Sequence, residues 1–405
     1  MNAQPGRWEE GKTNKPTFMG KRILILTGAG AAYPWFRDGI DASTKTITAE
    51  ILKDPFCKII YDELQSQFAP NFKDSINFET IINAIERVFQ YYRGKQPPVN
   101  SDFPILFNPS DLITNHFEGK DPNEIPVIIY NVFRTSIEKI SRLVEFYDAL
   151  IKQSQNSVNV LLKDFLCDMK VKENLLRSYT TNYDQMFIDV TQKSILKLFD
   201  GFNYPTKDGS KEYILSEIDN SEMHDCFFNL HGCIYWHWKY IFPWDKGISQ
   251  FELQQIPFNY SFSNDLRKDP LIETNPNEIH ISSPIITGFN KLQRINQEPF
   301  NAFANAFYRD CHKADIFIFI GFSFNDSHIN NVLNHVDWTG KKVLIVDKCE
   351  KPKNHKGVQN FENWCGESIV PDQFDAERNV NFYNKGFEKF LKGYSSVIEE
   401  CGIKL

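Results

Sequence analysis

The chain has 405 residues, of which 41% are hydrophobic and 24% charged, and this composition is typical of a globular protein with a large core. Its net charge of -7 argues against a broad nucleic-acid interface, because phosphate binding requires clustered Lys and Arg side chains. No apolar run is long enough to span a bilayer, and the first residues lack the apolar segment of a signal peptide. We therefore expect a cytoplasmic protein without membrane contact.

The first predicted strand, 23–27, runs directly into the turn Gly28-Ala29-Gly30. A buried strand that ends in such a turn lets backbone N–H groups approach a pyrophosphate, especially when a helix follows. The third glycine of the dinucleotide-binding fingerprint is replaced here by Tyr33, so the turn needs support from elsewhere in the chain.

The segment between the first and second predicted strands is much longer than a simple crossover needs and has helical periodicity. Apolar residues recur at three- and four-residue steps over 125–151, and a second helix begins near Ser75, with Ser75 and Asn77 as candidate caps. Residues 94–122 are rich in Pro, Asn and Asp and are expected to form a loop. These features predict a large helical insertion.

Further short apolar runs lie at 175–179, 226–230, 279–286, 315–321 and 343–346. They do not alternate with polar residues, which favours a parallel sheet covered on both faces. The expected fold class is α/β, with a Rossmann-like parallel sheet and helices on both faces. We expect one domain over 1–405, with a core at 20–50 and 172–350, a helical insertion at 51–171, and a C-terminal strand and helix at 351–405.

The eight cysteines are scattered, and no two form a C-x-x-C pair. The best metal-like group is Cys226, His231, Cys233 and His237, but its spacing matches no common structural zinc pattern. We expect reduced thiols, no zinc and no other bound metal.

Polar residues follow three predicted strands, at the edge where parallel sheets bind their ligands. They occur in the segments 180–184, 231–232 and 321–326. Each segment also has a structural explanation. Asn182 and Asp184 could cap the following helix, His231 could be a hydrogen-bonded core residue, and Gly321 with Ser323 could form an ordinary turn.

In combination, these segments resemble the motifs of the sirtuin family in their order along the chain. The matching motifs are Gly28-Ala29-Gly30, Thr181-Asn182-Tyr183-Asp184, Leu230-His231-Gly232, Gly321-Phe322-Ser323 and the strand that ends at Asp347. The segments Asn77-Phe78-Glu79 and Tyr383-Asn384-Lys385-Gly386-Phe387 further resemble the sirtuin-like domains of bacterial antiphage systems. The four-cysteine zinc module of the family's protein deacylases is absent from the sequence.

The resemblance implies a site for NAD, which would be the substrate, and gives each matching residue a role. Gly28, Ala29 and Gly30 would hold the pyrophosphate, and Gly321 and Ser323 would line the phosphate and ribose. Asn182 would position a water molecule and the ribose hydroxyls, Asp184 would hold the nicotinamide carboxamide, and His231 would act as the general base. Asp347 would accept a hydrogen bond from the adenosine ribose, or is simply a strand-end aspartate.

One further segment, Pro34-Trp35-Phe36-Arg37, resembles a Pro-Asp-Phe-Arg motif of the family but lies closer to the glycines. No role is assigned to Arg37.

Three functions are compatible with this resemblance. The first is an NAD glycohydrolase that releases nicotinamide and ADP-ribose and depletes NAD in antiphage defence by abortive infection. The second is a non-catalytic NAD or ADP-ribose sensor that regulates a partner through the insertion. The third, an NAD-dependent protein deacylase, conflicts with the missing zinc module. The family analogy also implies a homo-oligomer and a HerA-type ATPase as partner.

Overall fold

The computed structural model describes residues 20–36, 42–69, 76–93, 110–152, 157–171, 173–191, 194–205, 207, 209–241, 250–255, 285–287, 295–296 and 298–405. Among these residues, no helix combines the length and the apolar character that a membrane span requires. Most of the predicted strand at 279–286, the candidate cap Ser75 and Arg37 lie outside the described ranges.

A parallel sheet forms the centre of the fold. Its strands in chain order are β1 (Arg22–Thr27), β2 (Leu175–Thr180), β4 (Cys226–Asn229), β7 (Ile316–Ile320), β8 (Lys342–Val346) and β9 (Val380–Tyr383). They are arranged as β4-β2-β1-β7-β8-β9, and every pair is parallel. The predicted α/β class is therefore confirmed, and the strand order is that of a doubly wound Rossmann-like sheet.

The strands of this sheet are buried on both faces, which explains why their sequences do not alternate. All five residues of β7 are buried, and so are those of β2. The register aligns Thr27 with Thr180 and with Ile320, so the strands on either side of β1 end level with it. The loops that follow them consequently meet at one edge.

Helices occupy the described residues between β1 and β2, as the periodicity predicted. They are α1 (Thr44–Ile51), α2 (Pro55–Gln67), α3 (Phe78–Arg93), α4 (Asp111–His116), α5 (Ile125–Lys152) and α6 (Ser157–Met169). Asn77 caps α3 by accepting the Glu79 N–H at 2.9 Å, as predicted. The expected loop at 94–122 is corrected in part, because α4 lies within it.

The remaining helices surround the sheet or follow its last strand. They are α7 (Met186–Thr191), α8 (Leu215–Asp219), α9 (Phe300–Lys313), α10 (Ser327–Asn334), α11 (Lys356–Cys365), α12 (Phe387–Leu391) and α13 (Tyr394–Glu400). Short 3-10 helices span Ala29–Trp35, Ser221–Met223 and Pro352–Asn354. The strand and helix predicted after Val346 are present as β9 and α12.

A second sheet was not predicted from the sequence. It is antiparallel, has the order β3-β6-β5, and consists of β3 (Lys211–Glu212), β5 (Trp236–Ile241) and β6 (Gln250–Gln255). Its strands are short or rich in polar and aromatic residues, so they lack the continuous apolar run that identified the central sheet. The division of the chain into core, insertion and C-terminal part stays a prediction.

Candidate functional site

A cavity of about 440 Å³ lies where the carboxyl ends of β1, β2, β4, β7 and β8 meet. Its walls contain nearly all of the residues singled out in the sequence: Gly28, Ala29, Gly30, Asn182, His231, Gly321, Ser323 and Asp347. Asp184 is the exception. The turns that follow β1 and β7 flank the point where the strand order reverses, which is where doubly wound sheets bind ligands.

The glycines of the two central turns interlock. A Cβ atom on Gly28 would lie 2.7 Å from the carbonyl oxygen of Gly321, and one on Gly30 would lie 2.7 Å from the Cα of Gly321. Gly321 itself has a φ of +58°, and a side chain there would overlap the backbone of Gly30 and Ala31. These three positions therefore need glycine for loop packing, whether or not a ligand is bound.

The backbone donors of this turn are largely used within the protein. The Gly28 N–H donates to Ile320 O at 3.0 Å, and the Gly30 N–H donates to Gly321 O at 3.0 Å. Ala29 begins the 3-10 helix, and N–H groups at the start of a helix have no intrahelical acceptor. Within this turn, Ala29 is therefore better suited than the glycines to donate to a ligand.

Asn182 is partly buried and lies between the turns after β1 and β2. Its Nδ2 donates to the Gly28 carbonyl at 3.1 Å, and its backbone N–H donates to Thr180 Oγ1 at 3.0 Å. Asn229, at the end of β4, donates through Nδ2 to the carbonyl groups of Asn182 at 3.3 Å and of Asp184 at 2.7 Å. The Asn182 side chain is thus held in a defined position at the cavity wall.

Asp184 is fully buried behind that wall rather than in it. One carboxylate oxygen accepts the Met186 N–H at 2.9 Å, which caps α7, and the other accepts a hydrogen bond from the Tyr147 hydroxyl. Burial raises the pKa of Asp184 from its ordinary value of 3.8 to about 6. Tyr147 lines the cavity, so Asp184 is linked to the cavity through this tyrosine.

More buried charge lies close to Asp184, between α5 and α7. Lys152 contacts Asp148 at 3.2 Å and Asp189 at 3.5 Å, and the Tyr235 hydroxyl donates to Asp148. Burial also raises the pKa of Asp189, with the Asp148 carboxylate as a further cause. Through Asp189 and Tyr235, this group connects α5 to α7 and to the residue just before β5.

His231 is buried at the cavity beside a residue that the sequence analysis did not single out. Its Nε2 lies 3.1 Å from the Nε2 of His328 on α10, and its carbonyl accepts the Ile286 N–H at 2.7 Å. His231, Asp326 and His328 have ligand atoms that all lie within 4.8 Å of one another. Among the described residues, these three could hold a metal ion, whereas the group of Cys226, His231, Cys233 and His237, which the sequence analysis had set aside, is not brought together in this way.

Asp347 lies at the end of β8, close to Gly30. Its Oδ1 accepts the Lys348 N–H at 2.7 Å, and its Oδ2 lies 3.0 Å from Nε2 of His355. Nδ1 of His355 accepts the Gly357 N–H at 3.2 Å, so a neutral His355 carries its proton on Nε2 and donates it to Asp347. His355 therefore orients the Asp347 carboxylate at the cavity.

The turn after β7 places Ser323 and Phe324 in opposite environments. Ser323 is exposed at the cavity, whereas Phe324 is fully buried with a φ of 55°. Asn330 Nδ2 donates to the Phe324 carbonyl at 2.7 Å and stabilises this left-handed conformation. The backbone between Gly321 and Asp326 is thus fixed by contacts on both of its sides.

Several residues at or beside the cavity were not predicted from the sequence. Tyr147 lies within the predicted helix at 125–151, and His355 lies outside every motif quoted from the sequence. His328 had one available signal, which is its position two residues after Asp326 in the segment after β7. Glu79 was noted in a motif and lines the cavity, where the Tyr183 hydroxyl lies 3.4 Å from its Oε1.

Comparison with protein families matches residues 177–357 to the SIR2-like domain. This region extends from β2 to the start of α11 and includes Asn182, His231, Gly321 and Asp347. The part of the cavity formed by the turn after β1 and by the helices between β1 and β2 lies outside the match. The region thus resembles a SIR2-like domain over the strands that carry most of the candidate site residues.

Comparison with solved structures found low-identity similarities. A structure of Sir2Tm bound to a propionylated peptide is 13% identical, with 95% of each chain covered and a TM-score of 0.36. A structure described as Sir2 with a p53 peptide and NAD+ is 12% identical, with 95% of each chain covered and a TM-score of 0.35. A search of curated protein sequences found no match.

Proposed function

We propose that this chain cleaves NAD at the bond between nicotinamide and ribose and releases nicotinamide and ADP-ribose. One observation carries this proposal. Asn182, His231 and Asp347 come from three separate strand ends, yet they line a single cavity together with the interlocked glycine turns. The match of this region to the SIR2-like domain supports NAD as the substrate.

The volume and the polar groups of the cavity support a small-molecule substrate. Its volume of about 440 Å³ lies within the range of small-molecule sites. The Ala29 N–H would donate to the pyrophosphate at the start of the 3-10 helix. Asp347, oriented by His355, would accept a hydrogen bond from the adenosine ribose, and Ser323 would contact the phosphate or the adjacent ribose.

In the proposed cleavage the pyridinium ring leaves as neutral nicotinamide, so its positive charge passes to the ribose. The transition state is therefore oxocarbenium-like. Asn182 is held at the Gly28 carbonyl through Nδ2, and its Oδ1 would accept a hydrogen bond from the attacking water or a ribose hydroxyl. His231 would take the proton that the water loses as its oxygen bonds to the anomeric carbon. Asp184 would act on the nicotinamide side of the site through Tyr147, since its own carboxylate lies behind the wall.

The test is nicotinamide release from NAD, followed by chromatography with the purified chain and in cells that express it, with and without phage infection. We expect Asn182→Ala and His231→Ala to lower the rate about a hundredfold. Asn305→Ala, at an exposed position of α9, and His335→Ala, at the exposed residue that follows α10, are the matched controls, and neither residue lines the cavity. Unchanged NAD in both settings contradicts the proposed activity, and full activity of the two cavity variants contradicts the residue roles.

The biological setting follows from the same resemblance. The chain would act in the cytoplasm as an NAD-depleting effector of antiphage defence, as a homo-oligomer and with a HerA-type ATPase as partner. Light scattering of the purified chain tests self-association, and co-purification tests the ATPase. Loss of phage protection in the His231→Ala variant would link the cavity to defence.

A second function, a non-catalytic NAD or ADP-ribose sensor, is favoured by the composition of the cavity wall. Val144 and Tyr147 of α5 line the cavity, so a bound dinucleotide would contact the helical insertion directly. Calorimetric binding of intact NAD without any nicotinamide release, also during infection, would favour the sensor over the hydrolase.

A further inference from the structure

The strongest unexplained feature of the cavity is the pair formed by His231 and His328. Their Nε2 atoms lie 3.1 Å apart, and a carboxylate oxygen of Asp326 completes a group whose atoms lie within 4.8 Å of one another. Two imidazole nitrogens at this separation require a shared proton or a cation, because two facing lone pairs repel each other.

The spacing of the two histidine nitrogens is compatible with one metal ion. Bonds of about 2.0–2.2 Å from a divalent ion to imidazole nitrogen and carboxylate oxygen place neighbouring ligand atoms about 3–4 Å apart. The 3.1 Å between the two Nε2 atoms falls in this range.

Asp326 is the third member of the group. It occupies the N-cap position of α10, where an Asp side chain normally accepts a backbone N–H of the first turn. Here the carboxylate makes no such capping hydrogen bond. Its oxygen lies instead with the two histidine nitrogens.

The backbone around the three side chains is firmly held. The Ile286 N–H fixes the carbonyl of His231, and Asn330 on α10 donates to the Phe324 carbonyl just before Asp326. The residues approach from two different strand ends, after β4 and after β7. The group is thus built by tertiary structure rather than by a local sequence motif.

We propose that His231, Asp326 and His328 form a binding site for a divalent transition-metal ion of the Zn²⁺ class. Two imidazoles and one carboxylate suit Zn²⁺ and Co²⁺ better than Mg²⁺ or Ca²⁺, which prefer oxygen ligands. His231 and Asp326 line the cavity, so the remaining coordination position faces it and is open to water or to a ligand. Three protein ligands at a cavity wall define an exchangeable site, in contrast to the closed four-ligand sites that stabilise folds.

The test measures metal binding directly and needs no NAD. The full chain is stripped with a chelator, and Zn²⁺ binding is followed by equilibrium dialysis, with Co²⁺ absorption as a spectroscopic probe. We expect a single ion per chain, and we expect His328→Ala and Asp326→Asn each to weaken binding at least about tenfold. His335→Ala, at the residue that directly follows the same helix, is the matched control and should bind as the wild type does.

Circular dichroism and thermal melting establish whether each variant is folded. If His328→Ala does not fold, Asp326→Asn decides the test. Equal Zn²⁺ binding by the wild type and the two ligand variants would overturn the proposal. A wild-type chain that binds no Zn²⁺ would also overturn it and would leave the histidines sharing a proton. Neither result bears on NAD cleavage, so the two proposals can fail separately.

Discussion

Gly30 and Gly321 contact each other backbone to backbone, and a Cβ on Gly30 would lie 2.7 Å from the Cα of Gly321. The contact joins the turns after β1 and β7, which are neighbours in the sheet but lie far apart in the sequence. The two turns therefore need these glycines so that their backbones can pack together. Contact with a phosphate would be a separate, second role of the turn.

Gly321→Ala should destabilise the protein by about 3 kcal/mol or more, because a methyl group there overlaps Gly30 and Ala31 in addition to the backbone strain. Gly340→Ala is the matched control. Gly340 also has a positive φ, 71°, but nothing lies within 4 Å of the added methyl group, so a cost of about 1 kcal/mol is expected. Urea unfolding of both variants measures the difference, and equal losses would refute the packing argument.

Asp310→Ala should lower the free energy of unfolding by about 3–5 kcal/mol, because it leaves the Arg177 guanidinium buried without its counter-ion. The two side chains are 1% exposed, and Arg177 Nε lies 2.5 Å from Asp310 Oδ2. The exposed pair of Lys392 and Glu388 is the comparison, and Glu388→Ala should change stability by less than about 1 kcal/mol. Thermal melting of both variants tests this, and similar shifts would contradict the prediction.

As the pH rises from about 4 to about 6, the free energy of unfolding of the wild type should fall relative to that of Asp184→Asn. Burial raises the pKa of Asp184 from 3.8 to about 6, so across this window the unfolded chain loses a proton that the folded chain keeps. Below the window the carboxyl is protonated in both states, and above it the loss levels off at about 3 kcal/mol. Denaturant titrations of both proteins through this range test the sign, and a difference independent of pH would contradict it.

Zn²⁺ should inhibit nicotinamide release, a prediction that requires both the proposed activity and the proposed metal site. An ion bound at Nε2 of His231 occupies the nitrogen that would accept the proton of the attacking water, so saturating Zn²⁺ should slow release about a hundredfold. A chelator should restore the rate, and His328→Ala should need at least about tenfold more Zn²⁺ for the same inhibition. Unchanged release by a wild-type chain shown to carry Zn²⁺ would contradict His231 as the base.

The central sheet was predictable because its strands are buried on both faces. A run such as Ile316–Ile320 can then be apolar at every position. The three-stranded sheet escaped prediction because β3 has two residues and β6 carries glutamines at several positions.

The cavity residues were predictable where the sequence places them directly after a strand. Asn182 and His231 satisfy this condition, and so do the glycines. Tyr147 and His328 do not, because they come from helices whose orientation depends on tertiary packing. Asp184 follows a strand, but the hydroxyl of Tyr147 and the first turn of α7 hold it behind the wall, and local sequence could not reveal this.

The position of β1 in the sheet has a consequence for how the chain folds. The N–H of Arg22 donates to the carboxylate of Asp315, 293 residues later, and β1 pairs with β7 along most of its length. Contacts between residues so far apart in the sequence give the fold a high contact order. This predicts slow folding, because long loops must close before the stabilising contacts can form. During synthesis the apolar run of β1 leaves the ribosome first and stays without this partner until β7 has been made, so we expect a strong dependence on chaperones and on low expression temperature.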